Sequence, residues 1–285
     1  AKDLKVIYKR PKSETYAATP TAEAFRLVIA TCDVEAGDEL SSSDFDTAFL
    51  QSFNWDGELM LIVYHDPFLG CDVYEWICGV IYGMQTGGAD WQNTLSYRLT
   101  TDLGFKEVRN MGSVYYHPDK KVTIPCHVDD SLVKSQGAES RKWFHDSINR
   151  IFNTKGCKVL APEQPLDYLS IRISITAEGN IRLDNAVKIG EYLGAKGLAD
   201  CNPAKEPITK NGVKEIHESH KAELYESESD ALLVPKWLGE LQWIAQTTHP
   251  VIAPAVSILS SMTKDNHLGS LNALKYVFRL RWQTR

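Results

Sequence analysis

The clearest pattern along the chain is a β-branched run, Val122, Thr123 and Ile124, that continues to Val128 and resumes after Asp129-Asp130 as Ser131-Leu132-Val133. Two such runs parted by two acidic residues predict a strand, a tight turn and a returning strand. Ser113 to Tyr116 reads as a strand leading into this hairpin, and Asp44-Phe45-Asp46-Thr47-Ala48-Phe49-Leu50 as an earlier one. Leu59, Leu61 and Val63 predict a strand over 58–65 that Asp66-Pro67 ends, and Tyr74 to Ile81 leads into a turn at Tyr82-Gly83-Met84. Tyr168 to Ile173 predicts a further strand, followed by a turn at Gly179-Asn180 and a return through Ile181-Arg182-Leu183. Helical spacing marks 21–35 (Ala22, Phe25, Leu27, Val28, Ala30), 89–103 (Trp91, Leu95, Leu99, Leu103, stopped by Gly104), 139–152 (Trp143, Phe144, Ile148, Ile151, Phe152) and 185–198. After Pro203 and Pro207 the chain reads as helices over 217–227, 231–247, 250–263 and 268–282. The class is α+β, with a mixed region at 1–200 and a helical one at 201–285.

Adjacent aspartates repel each other, so folding gains nothing from setting two of them at a hairpin tip. A solvated Asp-Asp turn is the plain reading. A third carboxylate in a strand-like context, Asp44, changes it, because hard divalent cations take carboxylate oxygens as ligands and relieve the repulsion. An acidic strand followed by an acidic hairpin can assemble a two-metal site from distant parts of a chain.

Three blocks then resemble the reverse transcriptases of copia-type LTR retrotransposons: Asp44 to Leu50 (D-V-x-T-A-F-L in the family), Tyr82-Gly83-Met84-Gln85-Thr86 to Trp91 (Y-G-L-x-Q-x-x-x-x-W) and His127 to Asp130 (Y-V-D-D). They occur in the family's order with similar gaps, within a likeness that runs from about Thr15 to the C-terminus. The resemblance implies a right-hand polymerase fold with fingers and an antiparallel palm at 1–200 and a helical thumb at 201–285. It implies RNA-directed and DNA-directed DNA synthesis for retrotransposon replication, from deoxynucleoside triphosphates on a primed RNA or DNA template. Asp44, Asp129 and Asp130 would be catalytic and hold two Mg2+ (or Mn2+) ions. Phe49 would lie under the nucleotide sugar, and Gln85, Thr86, Lys5, Lys9 and Arg10 would contact the incoming nucleotide. Tyr168-Leu169-Ser170, with Lys275, Arg279, Arg281 and Arg285, would contact nucleic acid. A ribonuclease H domain of the same polyprotein, and a cytoplasmic, virus-like-particle or nuclear setting, complete what the family implies.

The chain departs from the pattern at Thr86 (glutamine in the family), Gly88 and Ala89 (proline and arginine), His127 (tyrosine) and Ser170 (glycine), and its N-terminal basic segment looks short. The Gly87-Gly88 pair is expected to loosen the start of the next helix. Arg26 matches a family arginine and also suits a helix surface. These departures, with a net charge of −6 over 285 residues, favour a rival reading: a retrotransposon-derived protein that binds nucleic acid or protein without polymerising. Three retained aspartates argue against it. The charge is unevenly spread: Lys275, Arg279, Arg281 and Arg285 crowd the end, while acids concentrate at 214–230. Six cysteines without a C-x-x-C pair read as reduced thiols, and His217 and His220 beside Glu218 lack further ligands for zinc. No apolar stretch reaches the length needed to span a bilayer. The start at Ala1, without Met or a signal peptide, suggests a piece of a longer polyprotein or a segment expressed on its own.

Overall fold

A computed structural model describes residues 15–55, 57, 60–208, 228–262 and 268–280. The basic arm with Lys5, Lys9 and Arg10, the 217–227 helix with His217 and His220, and Arg281 and Arg285 lie outside the described residues. The chain runs through helix α1 (Ala22–Ala30), strands β1 (Asp38–Phe45), β2 (Met60–Asp66) and β3 (Cys71–Ile77), then helix α2 (Gly87–Tyr97). Strands β4 (Lys106–Glu107), β5 (Val114–His117), β6 (Val122–His127) and β7 (Asp130–Gln136) follow, with helix α3 (Gly137–Ile148) and strand β8 (Thr154–Val159). Strands β9 (Leu166–Tyr168), β10 (Ile171–Ile175) and β11 (Ile181–Asp184) lead to helices α4 (Ala186–Ala195), α5 (Glu228–Thr247), α6 (Ala253–Met262) and α7 (Leu268–Phe278).

Six strands pair in the order β4-β5-β6-β7-β1-β8, every pair antiparallel. Strands β11-β10-β9 form a second sheet, and β2 and β3 pair as a separate hairpin. The described residues divide into two compact units, one up to Tyr168 with Ser174–Ile181, the other Leu169–Ile173 with Arg182 onward.

In the first unit the alternation of β6 (Val122, Ile124, Cys126) gives the six-stranded sheet an apolar face, and α2 and α3 supply Trp91, Leu95, Phe144 and Ile148 to the same core. Phe45, Trp91 and Phe152 meet edge to face there, with centroids 5.2–5.4 Å apart. Helix α1 opens where the Thr21 hydroxyl accepts the Ala24 N–H at 3.2 Å. It buries Ala24, Phe25, Val28 and Ile29, leaving Leu27 exposed. In the second unit α4 packs with the helices that follow it, and Ile189 lies in their core. Lys196 at the end of α4 pairs with Glu240, its ammonium 4.3 Å from the Phe278 ring centroid and 5.1 Å from those of Tyr192 and Trp237.

Three sequence expectations need correction. The segment from Asp44 to Leu50 is not one strand: β1 stops at Phe45, Thr47 turns into the left-handed region (φ 48°), and Ala48–Gln51 is a 3-10 turn. Tyr168 to Ile173 is interrupted at Leu169 (φ 51°) and Ser170 (φ 62°), two consecutive left-handed residues that reverse the chain between β9 and β10. Helix α2 begins at Gly87 rather than Ala89 and passes through a π-helical turn at Arg98–Asp102, so the glycine pair lies in its first turn. The hydrophobic pattern gives no sign of the N-terminal part of β1, of the short β4 or of β8.

His145 of α3 is buried, its Nε2 3.0 Å from both Ser41 Oγ on β1 and Cys157 Sγ on β8. Burial, with the Arg141 charge nearby, lowers its pKa from 6.5 to about 4. A lowered histidine pKa means the unfolded chain takes the proton first, so stability is complete above pH 6.5 and is lost as the pH falls toward 4. The loss should be on the order of 3 kcal/mol. Thermal midpoints measured across that range should show the slope in the native chain and its flattening in His145→Gln; equal slopes would contradict the assignment.

Candidate functional site

Strand register brings the sequence-predicted carboxylates together. In the β1–β7 pair Asp44 faces Asp130, and in the β6–β7 pair His127 faces Asp130. Facing residues share a side of the sheet, so the three side chains form a row on the face opposite the aromatic core. Val128 and Asp129 make the two-residue loop between β6 and β7, and the backbone carbonyl of Asp129 accepts the Phe45 N–H at 3.0 Å. Asp129 thus sits at the loop tip beside the end of β1.

The loop is held under strain. Val128 has φ 56°, a conformation that crowds a β-branched side chain. Its carbonyl accepts the indole N–H of Trp91 at 2.6 Å. The tryptophan of α2 therefore fills the core and clamps the loop that carries Asp129. Trp91 was expected only as core packing.

Burial first, then the charges of Asp129 and Asp44, push the Asp130 carboxyl up, against the opposing pull of His127 and Lys155. Asp44 Oδ1 is buried with no hydrogen-bond partner, while its Oδ2 accepts from Lys155 Nζ at 2.9 Å. An orphaned carboxylate oxygen among three acids is, in donor type, what a hard divalent cation takes. As they stand, no three His, Cys, Asp or Glu side chains among the described residues are gathered to hold a metal ion. Lys155 went unnoticed in the sequence, because only pairing across 111 residues brings it to Asp44.

The other expected residues fall in distinct settings. Phe49, half-buried, packs against the sheet core and lies 5.0 Å from Tyr82, centroid to centroid. A side chain on Gly87 would meet it at 3.8 Å, so the first residue of α2 lies close to the Phe49 ring. Gln51 ties this 3-10 turn to the start of β8, donating to the Asn153 carbonyl at 3.0 Å and accepting the Asn153 N–H at 2.6 Å. Thr86 is buried at the start of α2, and Gln85 before it is half-buried. Arg26 is half-buried on α1.

Tyr168 is a core residue, its ring edge-on to Phe25 at 5.8 Å and its hydroxyl donating to the Pro125 carbonyl at 3.3 Å. Leu169 and Ser170 offer their turn backbone. Ser170 occupies the left-handed conformation that glycine takes without strain. In the second unit Arg279 donates through Nε and Nη2 to the Asn202 carbonyl at 3.0 and 2.9 Å, and Lys275 is half-buried on α7. Among the described residues no helix is long and apolar enough to cross a membrane.

The raised Asp130 carboxyl yields a test. A raised pKa in the folded state means stability is complete below the ordinary aspartate range and is lost as the pH climbs through the raised value. Asp130→Asn should therefore raise the thermal midpoint of the metal-free protein at neutral pH, with the gain fading below about pH 4. A lower midpoint at neutral pH would show that the carboxylates are not repelling one another.

No family model matches the chain. Over 88 residues it is 28% identical to the Gag-Pol polyproteins of the Saccharomyces cerevisiae transposons Ty1-MR1 and Ty1-GR1, and 27% identical to that of Ty1-DR4. The match takes in 31% of this chain and 5% of the relatives, so the chain corresponds to a small part of their length. Among solved structures, telomerase from Candida albicans in complex with a fragment of telomeric RNA aligns over 95% of this chain and 50% of its own, at 9% identity and a TM-score of 0.37, too low to bear on the fold. The chain is thus similar, over part of its length, to transposon Gag-Pol polyproteins.

Proposed function

We propose that the protein is the reverse transcriptase part of a copia-type retrotransposon polyprotein, a right-hand polymerase that extends a primer on an RNA or DNA template. The observation that carries this reading is the register that sets Asp44 against Asp130 beneath a strained loop bearing Asp129. The likeness to Ty1 Gag-Pol polyproteins supports it from the side of sequence. In this reading residues 1–200 provide fingers and palm and the helices of 201–285 act as the thumb. The substrates are deoxynucleoside triphosphates, the setting is the cytoplasm, a virus-like particle or the nucleus, and a ribonuclease H domain belongs to the same polyprotein.

Asp44, Asp129 and Asp130 would hold two Mg2+ or Mn2+ ions. When bound, such ions neutralise charge on the triphosphate and make the primer 3′-hydroxyl more acidic. The chain's own groups do the rest. Trp91 fixes the loop so that Asp129 stays at the tip. Phe49, beside Tyr82 and close to Gly87, on a turn tied down by the Gln51–Asn153 clamp, would offer an apolar floor that leaves no room for a 2′-hydroxyl. The turn at Leu169-Ser170 exposes backbone for the primer end, and affinity for the duplex would come chiefly from phosphate contacts of basic side chains.

Primer extension tests the reading. Asp129→Asn should abolish extension on RNA and DNA templates with the thermal midpoint unchanged or raised; near-native extension by this variant would refute the assignment.

Phe49→Ala should raise the kcat/KM for ribonucleotides relative to deoxynucleotides while deoxynucleotide incorporation falls modestly. If Phe49 served only the core, truncation would cost about 3–5 kcal/mol and leave sugar selection unchanged. Measuring both the midpoint and the selectivity ratio separates the two roles.

A further inference from the structure

We infer that Lys155 is a built-in counter-ion of the carboxylate site, holding Asp44 until a divalent cation displaces it. The inference rests on the metal-site reading above and adds a competitor to it.

The edge strand β8 is shaped to deliver this lysine. Its pairing with β1 shifts register: Ser43 faces Cys157 and Phe45 faces Thr154, so both Lys155 and Gly156 stand against the single residue Asp44. One extra residue on one strand is a bulge, which bends the strand and re-aims the side chain beside it. Gly156 makes the bulge possible with φ 96°, a backbone conformation that other residues rarely adopt; nothing lies within 4 Å of where its Cβ would be, so the demand is conformational and not steric. The outcome is the 2.9 Å contact from Lys155 Nζ to Asp44 Oδ2.

The contact is made to be exchanged. The Lys155 and Asp44 side chains are 58% and 39% exposed, and exposed ion pairs hold weakly. An ammonium on a four-carbon stem is a compact charge that can swing away. It satisfies Oδ2 alone, leaving Asp44 Oδ1 buried and unpartnered. Its charge also faces Asp46 and Asp129, so one lysine is set against a surplus of acid. A divalent cation matches that surplus better, and loading the site then requires Lys155 to leave Asp44. Lys155 acts here as a positioning residue that sets how much cation the site needs.

Binding of Mn2+ alone to the 285-residue chain, read from the electron paramagnetic resonance signal of the free ion, tests this. Lys155→Gln should bind Mn2+ about two- to fivefold more tightly than the native chain, and Lys155→Arg, which keeps the charge, should stay near native. Equal or weaker binding by Lys155→Gln would overturn the inference and leave the metal site standing. No binding by either chain, or binding that Asp129→Asn leaves unchanged, would overturn the metal-site reading itself.

Discussion

Carboxylates brought close at the β6–β7 turn, Asp44 opposite Asp130 with Asp129 in the adjoining loop, are what the packing of the first unit has to hold in place. Like charges side by side in a sheet oppose folding, and burial, followed by the charges of Asp129 and Asp44, pushes the Asp130 carboxyl up. The structure holds them there by three devices that act on backbone instead of charge. Register fixes Asp44 opposite Asp130, the Asp129 carbonyl bonds the end of β1, and the Trp91 indole clamps a loop whose Val128 is strained. Backbone strain of this kind costs free energy, which the packing of Trp91 and its neighbours must offset.

Trp91 joins the two halves of that arrangement. Its ring completes the aromatic core with Phe45 and Phe152, and its N–H reaches out of that core to the loop. Phe45 in turn directly follows Asp44. The same apolar burial that stabilises the sheet therefore also fixes the acidic row. Polar loops then tune the periphery: the Gln51–Asn153 clamp couples the turn carrying Phe49 to the strand carrying Lys155.

How much of this could be read from residues alone follows from where the signal lies. The β6–β7 hairpin was legible because its apolar alternation is strong and its turn is acidic. Helices α2 and α3 were legible from stripes ending near Leu103 and Phe152. The first part of β1 was not, because Ser41-Ser42-Ser43 is polar although Ser41 and Ser43 are buried under α3. Strand β8 was not, because an edge strand such as Lys155-Gly156-Cys157-Lys158 has no apolar pattern to show. The left-handed turns at Thr47 and at Leu169-Ser170 lack the glycine or asparagine that usually announces them. The acids of the site could be named in advance, but the lysine among them depends on a bulge and a long-range pairing that no local pattern encodes.

The most direct measurement of the central claim is anomalous scattering from crystals of this chain soaked in Mn2+. The account predicts anomalous peaks between Asp44 and Asp129-Asp130, with Lys155 withdrawn from Asp44. Crystals that show no peak there at saturating Mn2+, with Lys155 still on Asp44, would contradict it.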